Sequence, residues 1–164
     1  MYRMKLLLTM LSLILLAPAA LAVDFRWTLG FGQGTLESTI KNANDSAFTI
    51  YCPQGHEDTT PGMFLHVKSI KPTLGELVTV QFIVDGKNHS FYFQEIRFKA
   101  DTRANQWALR NFVNALLSSK QKSFVAEFPK YNTAETFSLL NVRDSIGADK
   151  KKGSILKGCG EDTW

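Results

Sequence analysis

The sequence predicts a mainly β protein: an antiparallel β-sandwich or curled sheet of about seven strands, carrying one amphipathic α-helix. Three observations lead there. Apolar and polar residues alternate through several short runs, which is the period of a half-buried strand. Turn chemistry separates those runs, most clearly at Asn42-Ala43-Asn44-Asp45-Ser46 and Asp85-Gly86. One stretch alone changes to the helical period, with Leu109, Phe112, Val113 and Leu116 at i, i+3, i+4 and i+7.

The elements follow in order. An opening strand is expected over residues 25–29, leading into Gly30-Phe31-Gly32-Gln33-Gly34. That run is no phosphate loop, because no GK[ST] follows it and no helical period begins there; its glycines read as a bulge in an edge strand. Residues 35–41 and 47–52 alternate on either side of the Asn-rich turn and form a hairpin, with Phe48, Ile50 and Cys52 on the core side. Residues 53–62 are a polar loop. Met63, Leu65 and Val67 mark the next strand, and residues 71–75 a turn. Residues 77–84, rich in Val, Ile and Phe, suit a central strand. Asp85-Gly86 turns the chain into a returning strand over 89–99, where Phe91 and Phe93 share one side and Tyr92 takes the other. Asp101 or Thr102 caps a helix reaching about Ser119. Strands over 123–128 and 136–140 and a helical turn over 142–146 complete the body.

Both ends carry their own signals. Arg3 and Lys5 precede an almost wholly apolar run over residues 6–16, and Ala20-Leu21-Ala22 supplies the small-x-small pattern cleaved before Val23. Residues 1–22 therefore read as a secretory signal, 23–147 as a single β-rich domain, and 148–164 as a polar tail. The apolar run is too short to span a bilayer comfortably, so no integral membrane segment is expected after cleavage. Losing Arg3 and Lys5 takes the formal charge from +4 to +2. So weak a charge, with Glu161 and Asp162 close behind the Lys150-Lys151-Lys152 cluster, excludes no fold but gives no reason to expect a nucleic-acid partner.

Cys52 and Cys159 are the two cysteines. An even count in an exported chain favours a disulfide. It would close a loop of about a hundred residues, worth on the order of 4–5 kcal/mol in the chain-entropy account, and would tether the tail.

Signals for catalysis are absent. No G-x-S-x-G, HExxH or CxxC occurs, and no catalytic residue, metal site or cofactor is expected. His56-Glu57-Asp58 has metal-ligating residue types, but consecutive loop residues do not converge on one ion unaided. Residues 54–60 suit either an acidic inhibitor finger that binds a partner or a passive connection. Tyr92 and Arg97 form the other candidate surface, since an exposed aromatic beside Arg is typical of binding hot spots; the alternative is that both faces of that strand are core.

The strand ending in Cys52, Val84-Asp85-Gly86, the helix ending Phe112-Val113-Asn114-Ala115-Leu116-Leu117, residues 120–128 and the Phe137-Ser138-Leu139 strand together resemble the invasion-associated locus B family of exported bacterial proteins. The resemblance implies a periplasmic β-sandwich without known catalytic residues, and it carries over no functional residue. The expectation is then an exported, most simply periplasmic, non-enzymatic module that binds another envelope or exported protein, as an assembly factor, hydrolase inhibitor or immunity protein. Two alternatives stand beside it: a cell-wall or glycan hydrolase or carbohydrate-binding protein, and a structural subunit of a surface or secretion assembly.

Overall fold

A computed structural model describes residues 25–54 and 60–147, together with Ile155 and Cys159. Within them the chain is mainly β, with nine strands and one main helix. The strands are β1 (Thr28–Gly32), β2 (Thr35–Lys41), β3 (Ala47–Pro53), β4 (Gly62–His66), β5 (Leu77–Val84), β6 (Lys87–Gln94), β7 (Arg97–Lys99), β8 (Ser123–Phe128) and β9 (Thr133–Ser138). Helix α1 (Arg103–Ser118) lies between β7 and β8, a 3-10 turn (Pro129–Tyr131) between β8 and β9, and the short α2 (Val142–Ile146) follows β9. All pairings are antiparallel, in the single order β1-β2-β3-β4-β7-β6-β5-β8-β9.

Two differences from the sequence reading concern the strands, and the second adds one. Gln33 and Gly34 both take positive φ, 50° and 75°, and make a tight hairpin. The glycine-rich run is thus the end of β1 and its turn into β2, and β1 begins three residues later than expected. More consequentially, residues 89–99 are two strands. Glu95 turns left-handed, at φ 57°, and Gln94 pairs directly with Arg97. Glu-Ile is no turn dipeptide by itself. The conformation is held from outside: the Glu95 amide donates to the Glu76 carbonyl at 2.7 Å, and its carboxylate accepts from the Gly75 amide at 2.8 Å. Left-handed backbone is uncommon at Glu, and these two bonds offset its cost here.

The sheet is open but strongly bent. Phe48 on β3 and Phe82 on β5 lie four strands apart, which in a flat sheet is about 19 Å. Their ring centroids are 5.1 Å apart. Phe112 of α1 fills the fold of the sheet, stacked on Phe82 at 4.6 Å and within 6.0 Å of Phe48. Phe124 and Phe137 close the same core from β8 and β9, and Trp27 joins it from ahead of β1. All six side chains are fully buried.

The two ends of the sheet meet without forming a ladder. The Trp27 amide donates to the Leu140 carbonyl, its indole Nε1 to the Ser138 carbonyl, and Asn141 Nδ2 to the Trp27 carbonyl, each at 2.9 Å. Buried Glu135 on β9 accepts from Asn42 Nδ2 at 2.7 Å and Asn44 Nδ2 at 3.0 Å. Asn42 Oδ1 meanwhile accepts from the amides of Asn44 and Ser46, shaping the predicted turn. Asn42 and Glu135, both buried, thus fix one another.

Helix α1 starts at Thr102, whose Oγ1 accepts from the Asn105 amide at 3.1 Å, and buries Leu109, Phe112, Val113 and Leu116 as the period requires. Cys52 and Cys159 form a disulfide, with Cα atoms 5.5 Å apart. Ile155 is buried in the same core, which brings the described part of the tail onto the body. Among the described residues no helix is long and apolar enough to cross a membrane. The signal residues Ala20, Ala22 and Val23 lie outside the described residues.

Candidate binding face

The turn at Glu95 decides which side chains face outward together. Along one continuous strand, Tyr92 and Arg97 would point to opposite faces, and Arg97 would share the core side with Phe91 and Phe93. The turn resets the alternation. Phe98, rather than Arg97, then faces inward, 4.9 Å from Phe91 and 6.0 Å from Phe93. Arg97 and Tyr92 both lie exposed on the outer face, Tyr92 at 69%.

Cross-strand register builds the rest. Phe64 on β4 pairs directly with Arg97 on β7, and the Arg97 guanidinium lies over the Phe64 ring, 4.6 Å from its centroid. Phe64 in turn stacks on Tyr51 of β3 at 4.5 Å. Tyr51 sits opposite Gly62, and a Cβ at Gly62 would fall 2.5 Å from the Tyr51 hydroxyl oxygen and 2.2 Å from the Phe98 carbonyl oxygen. Glycine is required there so that the tyrosine ring can cover the strand backbone and donate its hydroxyl to the Phe98 carbonyl, at 3.4 Å. A short sequence of contacts therefore runs from a bare backbone, through two rings, to an exposed cation.

Arg97 separates two open grooves. One, of about 720 Å³, is lined by Phe64, Leu77, Tyr92, Gln94, Arg97 and Asn105 among others. The other, of about 460 Å³, is lined by Gln33, Glu37, Tyr51, Phe64, Arg97 and Lys99 among others. Leu77 is 68% exposed, and Ile96 beside it is also exposed. Among the described residues no carboxylate forms an ion pair with Arg97. Leu77, Ile96 and Tyr92 around this cation are thus exposed to solvent, and among the described residues the cation has no internal anion.

The other candidates from the sequence are placed differently. His56, Glu57 and Asp58 lie outside the described residues. His66 is exposed at the end of β4, while His89 turns inward over Phe112 with ring centroids 5.6 Å apart. Burial, and then the neighbouring Lys87 charge, lower the His89 pKa below its ordinary 6.5. Among the described residues no group of three or more His, Cys, Asp or Glu converges. Among the described residues Glu76 is the one carboxylate with a large shift. It accepts from Lys130 Nζ at 2.7 Å, from the Tyr131 hydroxyl, and from the Thr73 amide and hydroxyl at 3.0 and 2.9 Å. These donors, Lys130 foremost, lower its pKa to about 2. A carboxylate held ionised so strongly serves no general-acid role at neutral pH.

The family model of YfjT matches residues 25–146. The chain belongs to the YfjT family. No curated protein and no solved structure gives a match. The resemblance to the invasion-associated locus B family is thereby corrected: the YfjT model spans the whole domain body. The features that suggested the other family, a strand ending in cysteine, an Asp-Gly hairpin and an amphipathic helix, follow from the requirements of a β-rich core and are not peculiar to one family. The YfjT match covers all nine strands, and the outer-face residues Tyr51, Phe64, Tyr92 and Arg97 lie within it.

Proposed function

We propose that this YfjT-family chain is an exported, non-enzymatic module of the bacterial envelope that binds another protein through the outer face of β4, β7 and β6. The observation that carries the reading is Arg97. It is an exposed guanidinium stacked over an aromatic pair, without an ion-pair partner among the described residues, between two grooves and beside exposed Tyr92 and Leu77. Aromatic and Arg side chains dominate the energetic centres of protein interfaces, and exposed apolar neighbours supply area from which water is released. Export is supported by the charged, apolar and small-residue pattern of 1–22 and by a disulfide of the kind that oxidising compartments sustain. The rigid bent sheet would present this face to an assembly factor's client, a hydrolase or an exported toxin.

The test is a cross-linked pull-down from the envelope fraction, read by mass spectrometry, with the native chain beside a Leu77→Ala/Tyr92→Ala variant. One dominant protein captured by the native chain and lost by the variant is the expected result. Equal capture by both overturns the choice of face. Retention on cell-wall or glycan material, with no protein captured, replaces the reading with carbohydrate binding.

A further inference from the structure

The chemistry of the same face says what part of a partner it would hold. We propose that Arg97 is the receptor for an acidic side chain on an extended segment that crosses the outer face, a deepening that rests on the protein-binding reading above.

Three observations support it. The first is charge. Arg97 is permanently cationic and has no ion pair among the described residues. An interface that covered it without an anion would bury an uncompensated charge, which is strongly unfavourable. The second is preorganisation. The guanidinium lies over Phe64, which is itself stacked on Tyr51, so less side-chain freedom is lost when it forms a bidentate bond. Carboxylate is the protein group whose two oxygens match that planar fork. The third is shape. Open groove continues on both sides of Arg97, about 720 Å³ toward Tyr92 and Leu77 and about 460 Å³ toward Gln33 and Glu37. A chain can pass over the arginine with residues on either side, whereas a chain terminus would use only one groove. Lys99 lines both grooves beside Arg97, while Glu95 and Asp101 in the first and Glu37 in the second oppose a uniformly acidic ligand. The fitting segment therefore has one acidic residue at its centre, an apolar residue on the Tyr92–Leu77 side, and no run of carboxylates.

The experiment is a titration of the 15N-labelled, disulfide-bonded chain, following the Arg97 Nε–Hε resonance and the amides of β4, β6 and β7. The probes are the blocked peptide Ac-Leu-Gly-Glu-Gly-Gly-NH2, whose Leu and Glu share one face of an extended chain, its Gln analogue, the Gln peptide with a free C-terminus, and sodium acetate. The Glu peptide should shift the Arg97 resonance and weaken about tenfold or more when Glu becomes Gln, the effect of removing a charged hydrogen-bond partner. Arg97→Lys, which keeps the charge but loses the planar fork, should weaken the Glu peptide while leaving the spectrum of the fold unchanged. Equal shifts from the Gln peptide or from acetate, or none at Arg97, overturn the proposal. Binding of the free-terminus peptide in preference to the Glu peptide overturns the side-chain assignment. If the peptides fail while Leu77→Ala/Tyr92→Ala still strips the partner in the pull-down, this inference falls and the protein-binding reading stands. If the double variant also captures normally, this inference and the choice of face fall together.

Discussion

Gly62 and Glu76 show how single residues set the outer face. Gly62 has no room for a Cβ, because the Tyr51 hydroxyl oxygen and the Phe98 carbonyl oxygen stand within 2.5 Å of where one would be. Gly62→Ala should therefore destabilise the fold by about 1–3 kcal/mol, the usual cost of overpacking, and displace Tyr51 from Phe64. Denaturant unfolding measures the first effect. A changed shift of the Arg97 Nε–Hε proton, which lies in the ring current of Phe64, reports the second. An unchanged stability would mean that β4 adjusts freely. Glu76 makes a different prediction. Its pKa is lowered from 4.5 to about 2 by Lys130, Tyr131 and Thr73. The folded state holds the proton less tightly than the unfolded chain. Its stabilising contribution is present above about 4.5 and is lost as pH falls toward about 2. A carboxyl titration by NMR should place the Glu76 midpoint near the lower value, and Glu76→Gln should flatten that part of the stability profile. A midpoint at 4.5 would remove the Lys130–Glu76–Tyr131 cluster from the account.

At the scale of elements, α1 and the β6–β7 turn behave oppositely toward the sequence. The helix is legible residue by residue. Its period and its buried face follow from the spacing of Leu109, Phe112, Val113 and Leu116, and its cap, Thr102, is one of the two residues the sequence offered. Thr102→Ala should cost about 1 kcal/mol by loss of the bond to the Asn105 amide, read as a lower thermal midpoint with unchanged helix content below it. The β6–β7 turn was not legible. Residues 89–99 read as one strand because Glu95-Ile96 has no intrinsic turn preference, and the left-handed Glu95 is held by Glu76 and Gly75 from the preceding loop. That hidden turn places Arg97 beside Tyr92. The sequence named both residues as a candidate surface, but the alternation it used would have set them on opposite faces.

For the whole molecule, the bend of the sheet and the disulfide are the main constraints. Rings on β3 and β5 touch because the sheet folds over Phe112, and Glu135 joins Asn42 and Asn44 across its two ends. The Cys52–Cys159 bridge spans 107 residues of sequence. Replacing both cysteines by serine should cost about 2–5 kcal/mol, as for native disulfides of small secreted domains. Calorimetry of the double variant against the native chain tests this, and an unchanged midpoint would mean that tail burial alone holds Ile155 and Cys159 in place.

The sequence by itself determined the β class, the one long helix and the hairpin at Asp85-Gly86, and favoured a bridge between the two cysteines, because the first three rest on local period and turn chemistry and the last on an even count. Only the tertiary structure decided the number of strands, their order, the bend that brings distant rings together and the outer face on which Arg97, Phe64 and Tyr92 meet. Those depend on contacts between residues far apart in the chain, such as Glu95 with Glu76, Tyr51 with Gly62 and Asn42 with Glu135. No local propensity encodes such contacts, since each partner supplies what the other's own segment lacks.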